Sequence, residues 1–316
     1  MSTLNSLNIK TIPISTQTII VRTNINVNIG ECFKHLPITK YIKTKKKRGR
    51  KTYIEKVDYN KDVKSGSIIT LKHNNEIRGV NLTNKKKKMN RKCTHFRNAL
   101  TIVIVLKEKK SCEKRLNLKL SNNGKFQITG SKKMDHSIQA IKIYWNYIQQ
   151  LKKRGLNVYT FKNKNECEFS AIFKVVMTNI DFNVGYRIHR EHLDEYINTH
   201  IDSARSLFES NFGYTGVNIK FPLNEYHNIQ LPKIYTEKNK WKHSNVTYND
   251  YKKNILTPEE CKKESAKTSY NTFLVFQSGN IIMSGRCKAY MTKVFNEFLN
   301  ILKTQRSYIE FVPTTN

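Results

Sequence analysis

Leu118-Lys119-Leu120-Ser121-Asn122-Asn123-Gly124-Lys125-Phe126-Gln127-Ile128-Thr129-Gly130 has a second version further along the chain, Phe273-Leu274-Val275-Phe276-Gln277-Ser278-Gly279-Asn280-Ile281-Ile282-Met283-Ser284-Gly285. Each copy reads as a strand, a Gly-containing turn, a short strand ending in Thr/Ser-Gly, and then a helical stretch. Strand alternation puts Lys125, Gln127 and Thr129 on one face of the first copy and Phe126 and Ile128 on the other. In the second copy Asn280, Ile282 and Ser284 oppose Ile281 and Met283. The apolar faces are expected to pack on helices. A unit that occurs twice predicts a pseudo-symmetric domain with one continuous binding face.

Working outward, the same order of elements precedes each copy. Residues 18–29 alternate as a strand with Ile19, Val21, Thr23, Ile25 and Val27 inward, and a short helix is expected from Glu31 to Leu36. Residues 37–92 look like an insertion holding two basic runs, Lys43–Lys51 and Lys85–Lys92, around a strand-like 67–71. Residues 99–106 form a β-branched, buried strand, and 107–115 a hairpin loop. A helix over 133–153 presents Ile138, Ile141, Trp145 and Ile148 on one face. In the second half a strand is expected over 171–186. A helix follows over 191–210, with Leu193, Ile197, Ile201, Ala204 and Phe208 at helical spacing, and then a strand over about 214–221. A polar, irregular insertion over 223–269 comes next, and a last helix over about 286–304 has Tyr290, Val294, Phe298 and Ile301 inward. The spacing from Leu36 to Leu193 nearly equals that from Gly124 to Gly279, although the insertions sit at different places in each half. That is the signature of two divergent copies of one plan, residues 1–160 and 161–316.

Composition narrows the partner. The formal net charge is +33 over 316 residues, from 57 Lys+Arg against 24 Asp+Glu. Self-repulsion of that size is best tolerated against a polyanion, nucleic acid first and an anionic membrane second. No apolar run approaches the length of a membrane-spanning helix. Met1-Ser2-Thr3-Leu4-Asn5 has no signal-peptide pattern. The six cysteines include no C-x-x-C pair, so free thiols in a reducing compartment are expected, with no metal and no cofactor. No nucleophile elbow, P-loop or paired-carboxylate motif is visible, and a non-enzymatic protein is expected. His189 and His192 lack a third ligand and read as a surface pair.

The order of elements and these residues resemble the saddle domain of the TATA-box-binding protein family. The local matches are Phe276-Gln277-Ser278-Gly279 through Ser284-Gly285, Lys125 through Gly130, and Phe212 with Pro222. The resemblance implies an α+β fold in which two repeats form one curved antiparallel β-sheet saddle with helices on the convex face. It implies that the concave face grips the minor groove of A/T-rich double-stranded DNA. The family also unstacks base steps with two phenylalanines at each end of the site. Phe212 and Phe276 match one pair and Phe96 one member of the other; the fourth position falls on Leu120 or Ser121. The plain alternative for all of them is a place in the core. The saddle face would comprise Thr18, Ile20, Asn123, Lys125, Gln127, Thr129, Met177, Asn179, Ser278, Asn280, Ile282 and Ser284. Where the family has a central asparagine in each repeat, this chain has Thr18, which still hydrogen-bonds, and Met177, which offers only a weak sulfur acceptor. A face of this kind reads groove width and deformability more than base identity.

The run Lys45-Lys46-Lys47-Arg48-Gly49-Arg50-Lys51 fits a nuclear localisation signal, a minor-groove arm or a solvated loop, and under each reading it adds salt-dependent phosphate attraction. The resemblance implies a transcription-initiation factor that bends A/T-rich promoters and recruits general transcription factors and RNA polymerase machinery. Its divergence fits a large DNA virus. The expected location is the nucleus or a viral transcription compartment in the cytoplasm, not outside the cell. The rival readings are an architectural minor-groove binder without promoter specificity and a saddle-like accessory domain of a nucleic-acid enzyme.

Overall fold

The structure, a computed structural model, describes residues 3–42, 60, 62–82, 98–107, 113–208, 216–223, 229–266 and 268–312. In chain order the first repeat holds β1 (Ile14–Thr23), β2 (Ile25–Val27), α1 (Ile29–His35), β3 (Ile68–His73), β4 (Glu76–Gly79), β5 (Ala99–Lys107), β6 (Glu113–Ser121), β7 (Lys125–Ser131), α2 (Met134–Lys153) and β8 (Tyr159–Phe161). The second holds β9 (Ser170–Asn183), α3 (Arg190–His200), β10 (Arg205–Leu207), β11 (Gly216–Leu223), β12 (Gln230–Glu237), β13 (Lys240–Thr247), α4 (Tyr248–Ile255), α5 (Pro258–Ser265), β14 (Ser269–Phe276), β15 (Asn280–Gly285), α6 (Lys288–Thr304) and α7 (Arg306–Ile309). The hydrogen-bonded strand order is β1-β7-β6-β5-β3 in the first repeat and β9-β15-β14-β11-β10 in the second, so the two topologies are the same. The hairpins β6–β7 and β14–β15 are antiparallel, as are the pairs β5–β6 and β11–β14. The α+β class and the repeated plan expected from the sequence are both present.

Two compact units divide the chain: Ile19–Lys174 with Pro232–Ser244, and Met1–Thr18 with Val175–Leu231 and Asn245–Asn316. In the first, α2 buries Ala140, Ile141, Tyr144, Trp145, Ile148 and Leu151. The sheet side of that core includes Leu100, Ile102, Leu116, Leu118, Leu120, Phe126 and Ile128. Phe126 meets Tyr144 edge-on at 5.1 Å, and Trp145 stacks on Phe169 at 4.3 Å. The expected inward set of the first strand is correct: Ile19, Val21, Thr23, Ile25 and Val27 are all buried. The chain bends at Asn24, whose side chain donates to the Glu168 carbonyl and accepts from Ser170 N. In the second unit Ile180, Phe182, Val217, Ile219, Phe273, Val275, Ile281 and Met283 pack with α6 in one core. Phe298 stacks on Phe273 at 4.1 Å and Phe295 lies edge-on to Phe182 at 5.2 Å.

Four expectations need correction. The segment 223–269 is regular: it supplies the β12–β13 hairpin and helices α4 and α5. The hairpin turn, Lys238-Asn239, has both residues at positive φ and carries no glycine, so the usual turn signal is missing. β12 pairs with the start of β9, and Trp241 of β13 meets Phe169 edge-on at 6.0 Å. The segment 37–92 is more than a polar decoration. It adds β3 and β4 to the sheet edge, and Val63 and Ile69 form a small second core with Val103 and Val105, flanked by Tyr41, Val80 and Leu82. Helix α3 stops at His200, short of 210, because the Asn198 amide binds the backbone of Ser206 in both directions and diverts the chain into β10. On α6 Phe298 and Ile301 are buried as expected, together with Met291, Phe295, Leu299 and Leu302, while Tyr290 and Val294 are half-buried.

The two repeated turns are docked in the same way. Val27 N donates to Asn122 O at 2.7 Å, and Ile188 N donates to Gln277 O at 2.9 Å. Gly124 and Gly279 have φ of +69° and +79°. A Cβ on Gly124 would land on the Ile25 carbonyl oxygen, and one on Gly279 on the Tyr186 carbonyl oxygen. Left-handed strain and backbone collision coincide, so Gly279→Ala is expected to lower unfolding free energy by at least about 2 kcal/mol, read from its urea midpoint.

Burial also holds a thiol. The Cys32 Sγ lies 3.6 Å from the Tyr144 hydroxyl, and burial pushes the thiol up to about 11 and the phenol well above its ordinary value. An unfolded thiol ionises near about 8.5, so above that pH the unfolded chain loses a proton that the folded chain keeps. Stability from this site therefore falls as pH rises from about 8.5 towards 11. The stability lead of wild type over Cys32→Ala should narrow across that window in urea titrations; a constant lead would contradict the assignment.

Candidate nucleic-acid interface

In each unit one sheet face packs on the long helix and the other carries the residues that alternation turns away from it. The register orders this second face into rows. In the unit of the second repeat, one row runs Asp181–Ile282–Leu274–Asn218–Leu207 across β9, β15, β14, β11 and β10. The next row runs Asn179–Ser284–Thr272–Lys220–Arg205. Phe276 ends β14 opposite Gly216 and is half-buried. It lines a shallow depression of about 660 Å³ with Asp181, Asn183, Ser278, Asn280 and Ile282. Asn183 Nδ2 donates to Asn280 Oδ1 at 2.8 Å and Asn280 Nδ2 donates to Ser278 Oγ at 3.0 Å, so the polar rim of the depression is held in place.

The unit of the first repeat offers a different chemistry on its corresponding rows. Lys72–Thr101–Lys119–Gln127 runs across β3, β5, β6 and β7, and Val103–Asn117–Thr129 lies beside it. Lys125 begins β7, and Arg22 lies outward on β1 between the buried Val21 and Thr23. The Lys72–Gln127 row is cationic where its counterpart, Ile282–Leu274–Asn218–Leu207, is aliphatic, while the adjacent rows carry cations only in the second-repeat unit, at Lys220 and Arg205. The small core formed by Val103 and Val105 covers the far end of β5, so Ala99 and Thr101, nearer its start, are the more open positions.

Several outward amides have unfilled hydrogen-bonding capacity. The Oδ1 atoms of Asn117, Asn179 and Asn218 are enclosed with no partner among the described residues. A polar group enclosed in this way costs free energy until a ligand or water completes it. An aliphatic, amide-bearing strand face with a partly exposed phenylalanine at its margin suits a flat, stacked ligand; the unfilled oxygens themselves are acceptors and are completed only by a donor.

The expected site residues divide clearly. Gln127, Ser278 and Asn280 are exposed, and Lys125, Thr129, Asn179, Ile282, Ser284 and Ile20 are half-buried on outward positions. Met177 is outward and 37% exposed. Thr18 shares its strand face with Ile20 but is only 9% exposed, which makes it nearly enclosed. Asn123 and Ser278 sit in the β6–β7 and β14–β15 turns rather than in the strand rows; Ser278 still lines the Phe276 depression, whereas Asn123 is a correction, lining a separate one with Asn26, Asn28, Asn157 and Tyr159. Leu120 is the second correction. It is fully buried, paired with Leu100 and Phe126 on the core face, so it is not a wedge; its neighbour Ser121 is the outward residue. Phe96, Phe212, Lys45, Lys46, Lys47, Arg48, Arg50 and Lys51 lie outside the described residues. Asp181, Leu274, Asn218, Asn117 and Lys119 were not anticipated on this face, although alternation on their strands carried the signal.

His189 and His192 are indeed a local pair. Their rings stack at 3.7 Å, His189 Nδ1 caps α3 by accepting from His192 N, and among the described residues no group of potential ligands could hold a metal. No helix among the described residues is long and apolar enough to cross a membrane.

No family model matches the chain. It is 26% identical over 243 residues to "Uncharacterized protein 335L" of Invertebrate iridescent virus 6, a match spanning 71% of this chain and 65% of that relative, so the chain covers just under two thirds of the relative's length. Among solved structures, "Methanococcus jannaschii TBP" aligns over 93% of this chain and 98% of its own, with 12% identity and a TM-score of 0.42.

The contrast between Leu120 and Phe276 gives a direct check. Leu120→Ala should cost about 2–5 kcal/mol of stability as a core truncation. Phe276→Ala, at the margin of the open face, should cost under about 1.5 kcal/mol in the same denaturation series. Equal losses would return Phe276 to the core.

Proposed function

We propose that this chain is a non-enzymatic, minor-groove DNA-binding and DNA-bending factor of transcription initiation, acting on A/T-rich double-stranded DNA, and that it is a viral protein. The observation that carries the reading is the open face of the second-repeat unit. There Phe276 adjoins a floor of Ile282, Leu274, Asn218 and Asn179, flanked by Ser284 and Thr272. Small polar and aliphatic side chains on a pleated surface follow the floor of a minor groove, where A·T pairs present only acceptors. Amide donors meet those acceptors, and a phenylalanine at the margin is placed to enter a base step and kink the duplex. The Lys72–Lys119 row of the first-repeat unit and the formal charge of +33 support sequence-independent attraction to phosphate. The motif resemblance to the TATA-box-binding family supports promoter DNA as the target, with general transcription factors and polymerase as partners. The viral relative supports a viral setting.

A second reading, an architectural binder without promoter specificity, is favoured by Met177 and the nearly enclosed Thr18, which leave the two central positions without an accessible amide. The two separate on one measurement. Affinity and bend angle on A/T-rich, shuffled and G·C-rich duplexes across salt should show a preference for A/T-rich sites together with a steep salt slope. Equal affinity for all three would leave only the architectural reading. Phe276→Ala should lose most of the bend while weakening binding by less than about tenfold, since a wedge contributes through unstacking more than through contact area.

A further inference from the structure

Asp181 stands out on the open face of the second-repeat unit. It is exposed on β9, paired with Ile282 in the row that continues to Leu274 and Asn218, and it lines the depression that holds Phe276. Among the described residues it has no hydrogen bond and no ion pair. Its neighbours on the same strand face are amides. Asn183 is committed to Asn280 and to Gly185 N, and the Asn179 oxygen is enclosed. The basic side chains of this sheet, Lys220 and Arg205, lie in the adjacent row on β11 and β10. In a chain with 57 basic residues, an unpaired carboxylate on a face read as DNA-binding calls for a partner that donates.

A carboxylate only accepts hydrogen bonds. Against an A·T pair in the minor groove it would meet only the adenine N3 and thymine O2 acceptors, in a region of strong negative potential. Desolvating an unpaired charge there is costly. The one donor that the minor-groove floor offers is the exocyclic N2 amino group of guanine. We propose that Asp181 is a specificity-determining residue that accepts a hydrogen bond from a guanine N2 amino group. The bound site would then contain a G·C pair at the position facing β9 within an otherwise A/T-rich sequence. This rests on the minor-groove reading above, and it reverses at one position the preference that the rest of the face imposes.

The test uses the full chain and A/T-rich duplexes in which a single G·C pair is moved stepwise through the site. At the best position guanine is replaced by inosine, which removes only the N2 amino group. In the all-A/T duplex adenine is replaced at that position by 2,6-diaminopurine, which adds it. Wild type should lose about tenfold in affinity with inosine and gain about as much with diaminopurine, the scale of one base contact. Asp181→Ala, at an exposed position and checked for unchanged melting, should lose both sensitivities, while Asp181→Asn, which keeps one acceptor oxygen, should retain part of them. Tight binding that ignores the amino group at every position would overturn the Asp181 assignment alone, as would an Asp181→Ala variant that keeps the full sensitivity. Failure to bind any duplex would overturn the minor-groove reading itself, and the assignment with it.

Discussion

The docking of a glycine turn against the end of the repeat's first strand is the constraint from which the rest of each repeat follows. Gly124 sits where only a hydrogen can face the Ile25 carbonyl, and Gly279 does the same at Tyr186. The backbone bonds Val27 N to Asn122 O and Ile188 N to Gln277 O fix the turn from the other side. Once the turn is pinned, the hairpin behind it has one register. A slip of one residue would carry Phe126, Ile128, Ile281 and Met283 out of the core and turn Lys125, Gln127, Asn280 and Ile282 into it. The chemistry of the outward face is therefore set by two positions that never touch a ligand.

The two repeats share this device but not the surface that it positions. Behind Gly124 the outward row is Gln127, Lys119, Thr101 and Lys72; behind Gly279 it is Ile282, Leu274, Asn218 and Leu207. Duplication preserved the backbone pairing, which depends on glycine geometry and on the buried half of each strand. The other half was free to diverge, because a half-exposed position carries little folding energy. Cation-rich rows contribute affinity that salt screens and that no sequence directs. Aliphatic and amide rows contribute shape and a few directed hydrogen bonds. On the proposed DNA-binding reading, the first rows of the two repeats would contribute differently, one through Lys72 and Lys119 and the other through aliphatic shape and Asn218.

The inward half of this structure was legible in the sequence, and the outward half only in part. Alternation in 18–29 identified buried residues correctly, and the spacing in α2 did so for Ile141, Trp145 and Ile148 but not for the half-buried Ile138. The exceptions share a cause in tertiary pairing. Lys238-Asn239 makes a tight hairpin turn without glycine, since Asn tolerates positive φ and the strand partner on β9 supplies the rest. Helix α3 ends early because the side chain of Asn198 competes for backbone groups that helix continuation would use. Leu120 was assigned by comparison of two turns one residue out of step, and a strand turns such a slip into the opposite face. Asp181 was visible as an acid in a strand, but its place beside Ile282 and Phe276 needs the pairing of three strands.

Net charge alone is a poor guide to what such a face recognises. A charge of +33 draws the chain to any polyanion and would do so if every outward residue were lysine. Discrimination comes from groups that are costly in the wrong place: an amide oxygen enclosed without a partner, a phenyl ring left at a wet margin, a carboxylate without a cation. Each is a small penalty in the free protein that a matching ligand removes and a mismatched one deepens. The second-repeat unit carries all three on one face, the ring and the carboxylate at one depression and the enclosed oxygens of Asn179 and Asn218 in the strand rows beside it. On the proposed DNA-binding reading, sequence preference should therefore follow the second repeat.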